Sequence, residues 1–180
     1  MIIMTENIIL EVLQRFLAEN VASRIKLQKP TEDKTYELIN PSVHVGWIPP
    51  KLPENMKPEE LLQDVPATPC IVIGMDNGED DGNGASMDIR LTFVTYSRGT
   101  IKDGKFTPNF EGYKDVINLR TRAREELAKA AVIGGKTTIQ QPFTWGMYEE
   151  QPYPHWMGWL KFRVSCISMG YVPDILNQYI

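Results

Sequence analysis

A chain of 180 residues, 42% hydrophobic and 23% charged, has the size of one domain and the composition of a globular protein able to bury a core. Its formal net charge of −4 leaves it without the basic face that holds polyanions by counterion release, which argues against nucleic acid as the main ligand. No run approaches the roughly 18 apolar residues that span a bilayer, and the opening MIIMTENIILEVL, broken by Thr5, Glu6 and Asn7, lacks the basic start, apolar block and cleavage site of a signal peptide.

Residues 5–21 place Ile8, Ile9, Val12, Leu13, Phe16 and Leu17 at helical spacing with Thr5 as N-cap, which predicts an amphipathic helix with one buried face. Next comes a stretch with Pro41, Pro49, Pro50, Pro53, Pro58, Pro66 and Pro69 within 29 residues. Proline removes donors and fixes φ, so 47–69 is expected to be an extended surface crossover, with room for a short helix near PEELLQD. CIVIGM at 70–75 reads as a buried strand. The segment 75–86, MDNGEDDGNGAS, holds Asp76, Glu79, Asp80 and Asp81 among three glycines and reads as an acidic, mobile hairpin loop. SMDIRLTFVTYS at 86–97 alternates, sending Met87, Ile89, Leu91 and Phe93 to one face and Asp88, Arg90 and Thr92 to the other.

A turn-rich stretch, RGTIKDGKFTPN, leads to a second helix on which Val116, Leu119, Ala123, Leu127 and Ala130 share a face, with Gly134 and Gly135 placed for a left-handed C-cap. TTIQQPFTWGMYEE and GWLKFRVSCISM read as two strands joined by the turn QPYPHWM. Helix, strands, helix, strands predicts a single α+β domain over 1–180: a mainly antiparallel sheet with two principal amphipathic helices packed on it. Cys70 and Cys166 lie in apolar strand-like runs and are expected as free thiols, which fits a reducing cytoplasm.

Several chemistries can be weighed on these residues. Counting Asn77 as position 1, the acidic stretch approaches a calcium loop, with Glu79, Asp81, Gly82 and Asp88 at positions 3, 5, 6 and 12. The first ligand should be Asp, Glu is long for the third, and the flanks read as strands where the motif needs helices, so a turn is expected. Gly135-Lys136-Thr137 resembles the end of a phosphate loop, but the required earlier glycine is Ala130 and the helix precedes the loop. His44 and His155 are the two histidines, each in a Pro- and aromatic-rich segment; no nucleophile signature surrounds Ser or Cys, and histidines and cysteines are too few and scattered for a zinc pattern. Glu149 and Glu150 are adjacent, so in a strand they would face opposite ways and could not form an acid/base pair. No enzymatic activity, metal or cofactor is expected.

Two surfaces carry more. Arg120, Arg122 and Arg124 form a basic cluster on the second helix, with Arg120 and Arg124 one turn apart, suited either to local ion pairs or to a neighbouring subunit. Trp145, Tyr148, Tyr153, Trp156 and Trp159 fall within fifteen residues beside Glu149 and Glu150, and the turn between them cannot bury them all within its own domain. Tyr and Trp beside charges are typical interface anchors and also stack on sugar rings. Protein contact is the favoured expectation, a carbohydrate-binding module the alternative from another class, and an enzyme with an unrecognised pocket a third.

Taken as a set, NPSVHVGWIPP, PCIVIGMDNGEDDG, FEGYKDVINL and WGMYEEQPYPHWMGWLKF resemble, over residues 36–168, a family of small proteins from the structural gene clusters of long-tailed phages and prophages of Gram-positive bacteria, phage-tail-like particles included. The nearest role is tail terminator, or tail completion protein; head-completion proteins of the same clusters are the alternative. The resemblance implies an α+β virion subunit, assembled in the host cytoplasm, that forms a ring, commonly a hexamer, at the head-proximal end of the tail tube. Such a ring stops tube polymerisation and offers a surface for head joining. Its implied partners are itself, the tail tube protein, sheath and head–tail connector proteins, with DNA only as a passing polyanion and no membrane. A ring needs a heterologous contact between two different patches, and the aromatic turn and the Arg120–Arg124 face are the two candidates. The acidic loop would either repel passing DNA or dock a basic partner, gaining order on assembly.

Overall fold

The computed structural model describes residues 6–31, 36–46, 68–103, 105–107, 109–166 and 168. In chain order the elements are α1 (Glu6–Asn20), a 3-10 turn at Ala22–Arg24, β1 (Leu27–Gln28), β2 (Leu38–Ile39), β3 (Ser42–Val45), β4 (Cys70–Asp80), β5 (Ala85–Tyr96), β6 (Thr100–Lys102), β7 (Lys105–Thr107), α2 (Glu111–Ala130), β8 (Val132–Ile133), β9 (Thr137–Met147) and β10 (His155–Cys166). The Thr5 cap, the body of the proline-rich crossover and its expected short helix lie outside the described residues.

Six strands form one sheet in the order β3-β4-β5-β10-β9-β8. Only β3 and β4 run parallel; the other neighbours are antiparallel. The expected α+β class, with a mainly antiparallel sheet and two amphipathic helices, is therefore what the chain adopts. The period-2 pattern selects the covered face: Ile71 and Ile73 of β4, Met87, Ile89, Leu91 and Phe93 of β5, and Leu160, Phe162 and Val164 of β10 are all buried in one core. Against that face α1 sets Ile9, Leu13 and Leu17, and α2 sets Val116, Leu119, Ala123 and Leu127. The 3.6 period of each helix matches the stripe it has to bury. α2 comes closest where the sheet has no side chain, since a Cβ on Gly158 of β10 would lie 2.7 Å from Val116 Cγ1.

Four sequence expectations need correction. The second helix stops at Ala130, and Gly134 and Gly135 do not cap it: they are the central residues of the β8–β9 turn, at φ +59° and +62°, closed by Lys136 N–H donating to Ile133 O at 3.1 Å. Gly134, Gly135 and Lys136 lie between the paired residues Ile133 and Thr137, and the adjacent glycines supply the two positive φ values without strain. The expected acidic loop at 75–86 is mostly strand. β4 runs to Asp80 and β5 starts at Ala85, leaving only Asp81–Gly84 as the turn. The turn-rich stretch at 98–109 contains the short β6–β7 hairpin. β9 ends at Met147, so Glu149 and Glu150 sit exposed in the following turn and not in a strand.

Both cysteines are free, and Cys70 is fully buried, which pushes its thiol up to about 12 because the thiolate would lose its hydration.

Candidate interaction surface

Alternation in β5 and β10 leaves Asp88, Arg90, Thr92, Trp159, Lys161 and Arg163 on the face away from both helices. Register then pairs them. Arg163 lies opposite Asp88 and grips it through Nε at 2.7 Å and Nη2 at 3.2 Å. Arg90 lies opposite Lys161, a like-charge pair that would be unfavourable alone. A bulge in β4 resolves it. Met75 pairs with Ile89 and Asn77 with Asp88, so Asp76 is the extra residue, and its carboxylate takes Arg90 at 2.8 Å and Lys161 at 3.0 Å. Tyr148 shares a 2.9 Å hydrogen bond with Thr92 on the same face. Asp76, counted in the sequence with an acidic loop, is thus a structural counter-ion.

Arg163 beside Asp88 holds that carboxyl below its ordinary value, mainly through the hydrogen bond. The sign follows by linkage: a depressed folded pKa contributes stability that is present above the unfolded value near 3.9 and disappears as pH falls through the folded value. Asp88→Asn is therefore expected to remove part of the acid limb. Its stability, followed by denaturation from pH 6 down to pH 2, should fall less than that of the parent, and parallel acid limbs would contradict the assignment. Both side chains are more than a third exposed, so the effect is screened and small.

At the hairpin tip, Glu79, Asp80 and Asp81 are exposed as the sequence suggested. Asp81 Oδ1 accepts from Asn83 N at 2.8 Å and Gly84 N at 2.9 Å, and Asp80 Oδ1 accepts from Gly82 N at 2.9 Å and from Ser168 Oγ at 2.6 Å. The two backbone bonds lower the Asp81 pKa. These carboxylates shape the turn between two strands, with no helix on either side.

Arg120, Arg124 and Trp145 come together on the helix side of the sheet. Arg120 reaches across to β9, where Nη1 donates to Gly146 O at 2.9 Å and lies 3.8 Å from Met147 Sδ. Arg124, one turn on, lays its guanidinium 4.1 Å from the ring centre of Trp145, which is 48% exposed. Burial, and then the neighbouring Arg124 charge, lower the Arg120 pKa. Neither guanidinium has a carboxylate partner among the described residues. Arg122 is half-buried, and its Nε has no hydrogen-bond partner among the described residues.

The aromatic run does not form one platform. Trp145 and Trp156 lie on the helix side, Tyr148 and Trp159 on the opposite face, and Tyr153 in the turn, where its hydroxyl donates to Arg98 O. Trp156 packs at the start of α2, edge-on to Phe110 and Tyr113 at centroid distances of 6.3 and 6.0 Å. Of the aromatic run, Trp145 belongs with the Arg120–Arg124 face, whereas Tyr148, Tyr153 and Trp159 lie apart from it. The sequence reading missed Tyr113 and Phe110, the latter 67% exposed. A signal existed for Tyr113, since 113, 117, 120 and 124 follow the i+4, i+3 steps of one helix flank.

Among the described residues no group of three or more His, Cys, Asp or Glu is placed to hold a metal ion, and no helix is long and apolar enough to cross a membrane. No protein-family model matches the chain, and no significant match to a curated protein was found.

Proposed function

We propose that this chain is a structural subunit of a long-tailed phage or phage-tail-like particle, a tail terminator that closes into a ring on the head-proximal end of the tail tube, halts tube growth and presents a surface for head joining. The observation that carries the reading is the Arg120, Arg124 and Trp145 surface, where half-exposed Trp145 lies under the Arg124 guanidinium and neither arginine has a carboxylate of its own among the described residues. Desolvated tryptophan and arginine are the residue types that dominate binding energy at protein interfaces. The four stretches that resemble the phage family supply the role, and the single α+β domain has the class that the resemblance implies.

The test is light scattering on a sizing column with negative-stain images of the peak, on the protein alone and after mixing with purified tail tube protein. The expected result is a ring of about six subunits, free or on tube ends. A mass that stays at 20.5 kDa in both samples, with bare tube ends, would overturn the reading.

A further inference from the structure

We propose that the arginine–tryptophan flank of α2 and β9 receives the acidic β4–β5 hairpin tip of a second copy of this chain. The inference rests on the ring reading above and names the surface that the flank meets. The flank is electropositive and incompletely neutralised. Arg120 and Arg124 stand one turn apart, Arg120 is spent on a carbonyl and Arg124 on the Trp145 ring, and no described carboxylate pairs with either. Burial first, and then the neighbouring Arg124 charge, disfavour the protonated form of Arg120, and an approaching anion would offset both. Tyr113, 38% exposed, and Trp145 give the flank apolar area to bury around that ion pair.

The occupant follows from the rest of the molecule. Glu79, Asp80 and Asp81 are three consecutive exposed carboxylates at a turn whose backbone is held by the Asp80 and Asp81 side chains, so little ordering entropy remains to be lost on docking. Position adds a second argument. The tip closes β4 and β5 where they pair at Asp80 and Ala85, whereas the flank lies where β9 pairs with Trp159 and Leu160 of β10, so tip and flank are different patches of one subunit. A contact between unlike patches leaves a free tip and a free flank on every dimer, which is the condition for growth to a closed ring. The same flank meeting itself would oppose two pairs of arginines.

Charge reversal tests this with the full chain, under conditions where the wild type associates alone or on tube ends. One variant carries Arg124→Glu; the other carries Glu79→Lys with Asp80→Lys and keeps the Asp81 turn acceptor. Glu79→Lys alone and Trp145→Ala are companions that leave the turn bonds in place, and circular dichroism verifies the fold of each. Each reversed protein alone is expected to lose at least tenfold in association constant. An equimolar mixture is expected to recover oligomers, because an acidic tip still meets arginine at one contact and a lysine tip meets Glu at the next. Oligomers unaffected by either reversal, or folded variants whose mixture stays monomeric, overturn this contact and leave the ring reading standing. A wild type that is monomeric in every condition overturns the ring reading itself, and this contact with it.

Discussion

Phe93→Ala is expected to lower the unfolding free energy by about 3–5 kcal/mol, toward the upper end of that range. Phe93 is completely buried at the middle of β5, between Ile71 of β4 and Gly158 of β10 in the sheet register. Gly158 has no side chain to move into the space. Above it, α2 already rests on the sheet so closely that a Cβ at 158 would meet Val116 at 2.7 Å and Gly146 O at 3.1 Å. With its cross-strand neighbour empty and the covering helix seated on backbone, the cavity cannot collapse, and an unrelaxed cavity costs more than transfer alone. For a domain of this length the loss corresponds to a melting temperature lower by roughly 6–20 °C. Urea unfolding with an unchanged slope checks it, and a loss below about 1 kcal/mol would show that the core rearranges around the site.

The second large effect is a coupling between Gly112 and Trp156. A Cβ on Gly112 would lie 2.1 Å from Trp156 Cδ1 and 2.9 Å from Ser97 Cβ, so the indole occupies the place of the missing side chain. Gly112 O also accepts a 2.6 Å hydrogen bond from the Thr95 hydroxyl, which ties the start of α2 to β5 and limits retreat of the helix. Gly112→Ala is expected to destabilise by about 1–3 kcal/mol through overpacking, despite the better helix propensity of alanine. Trp156→Ala is expected to cost about 3 kcal/mol, the low end for tryptophan because the ring is only partly buried. In the double variant the new methyl enters the vacated space, so the combined loss should be smaller than the sum by about 1 kcal/mol or more. Strict additivity in chemical denaturation would mean that the two residues do not compete for one volume.

That coupling changes how the aromatic run is to be probed. Loss of assembly in Trp156→Ala would report a damaged helix start as readily as a damaged interface, since Trp156 supports Phe110, Tyr113 and the core. Trp145→Ala is the cleaner change. Its ring is half exposed and lies under the Arg124 guanidinium, so the fold loses little and the surface loses its anchor.

Local periodicity explains why so much was legible. The apolar stripes of α1 and α2 and the alternation of β5 were readable because burial of one helix stripe or one strand face is written into residues three, four or two apart. The exposed outer half of β4 was not, because Asp76, Asn77, Gly78, Glu79 and Asp80 have neither strand propensity nor an apolar face of their own. Past the Asp76 bulge they extend because β5 pairs with Asn77, Gly78, Glu79 and Asp80 in turn. Gly134 and Gly135 signalled a break correctly, yet a helix cap and a hairpin turn ask the same positive φ of glycine, and only the return of β9 distinguishes them.

The candidate surfaces divide along the same line. By itself the sequence determined the α+β class, the two buried helix stripes, the core face of β5 and the exposure of the acidic tip, each of them a property of neighbours along the chain. Only the tertiary structure decided that Asp76 is a counter-ion between Arg90 and Lys161, that Arg120 and Arg124 belong with Gly146 and Trp145, and that Gly112 makes room for Trp156. Those partners lie dozens of residues apart, and the strand order and register that join them are set by the whole core at once, which no local pattern encodes.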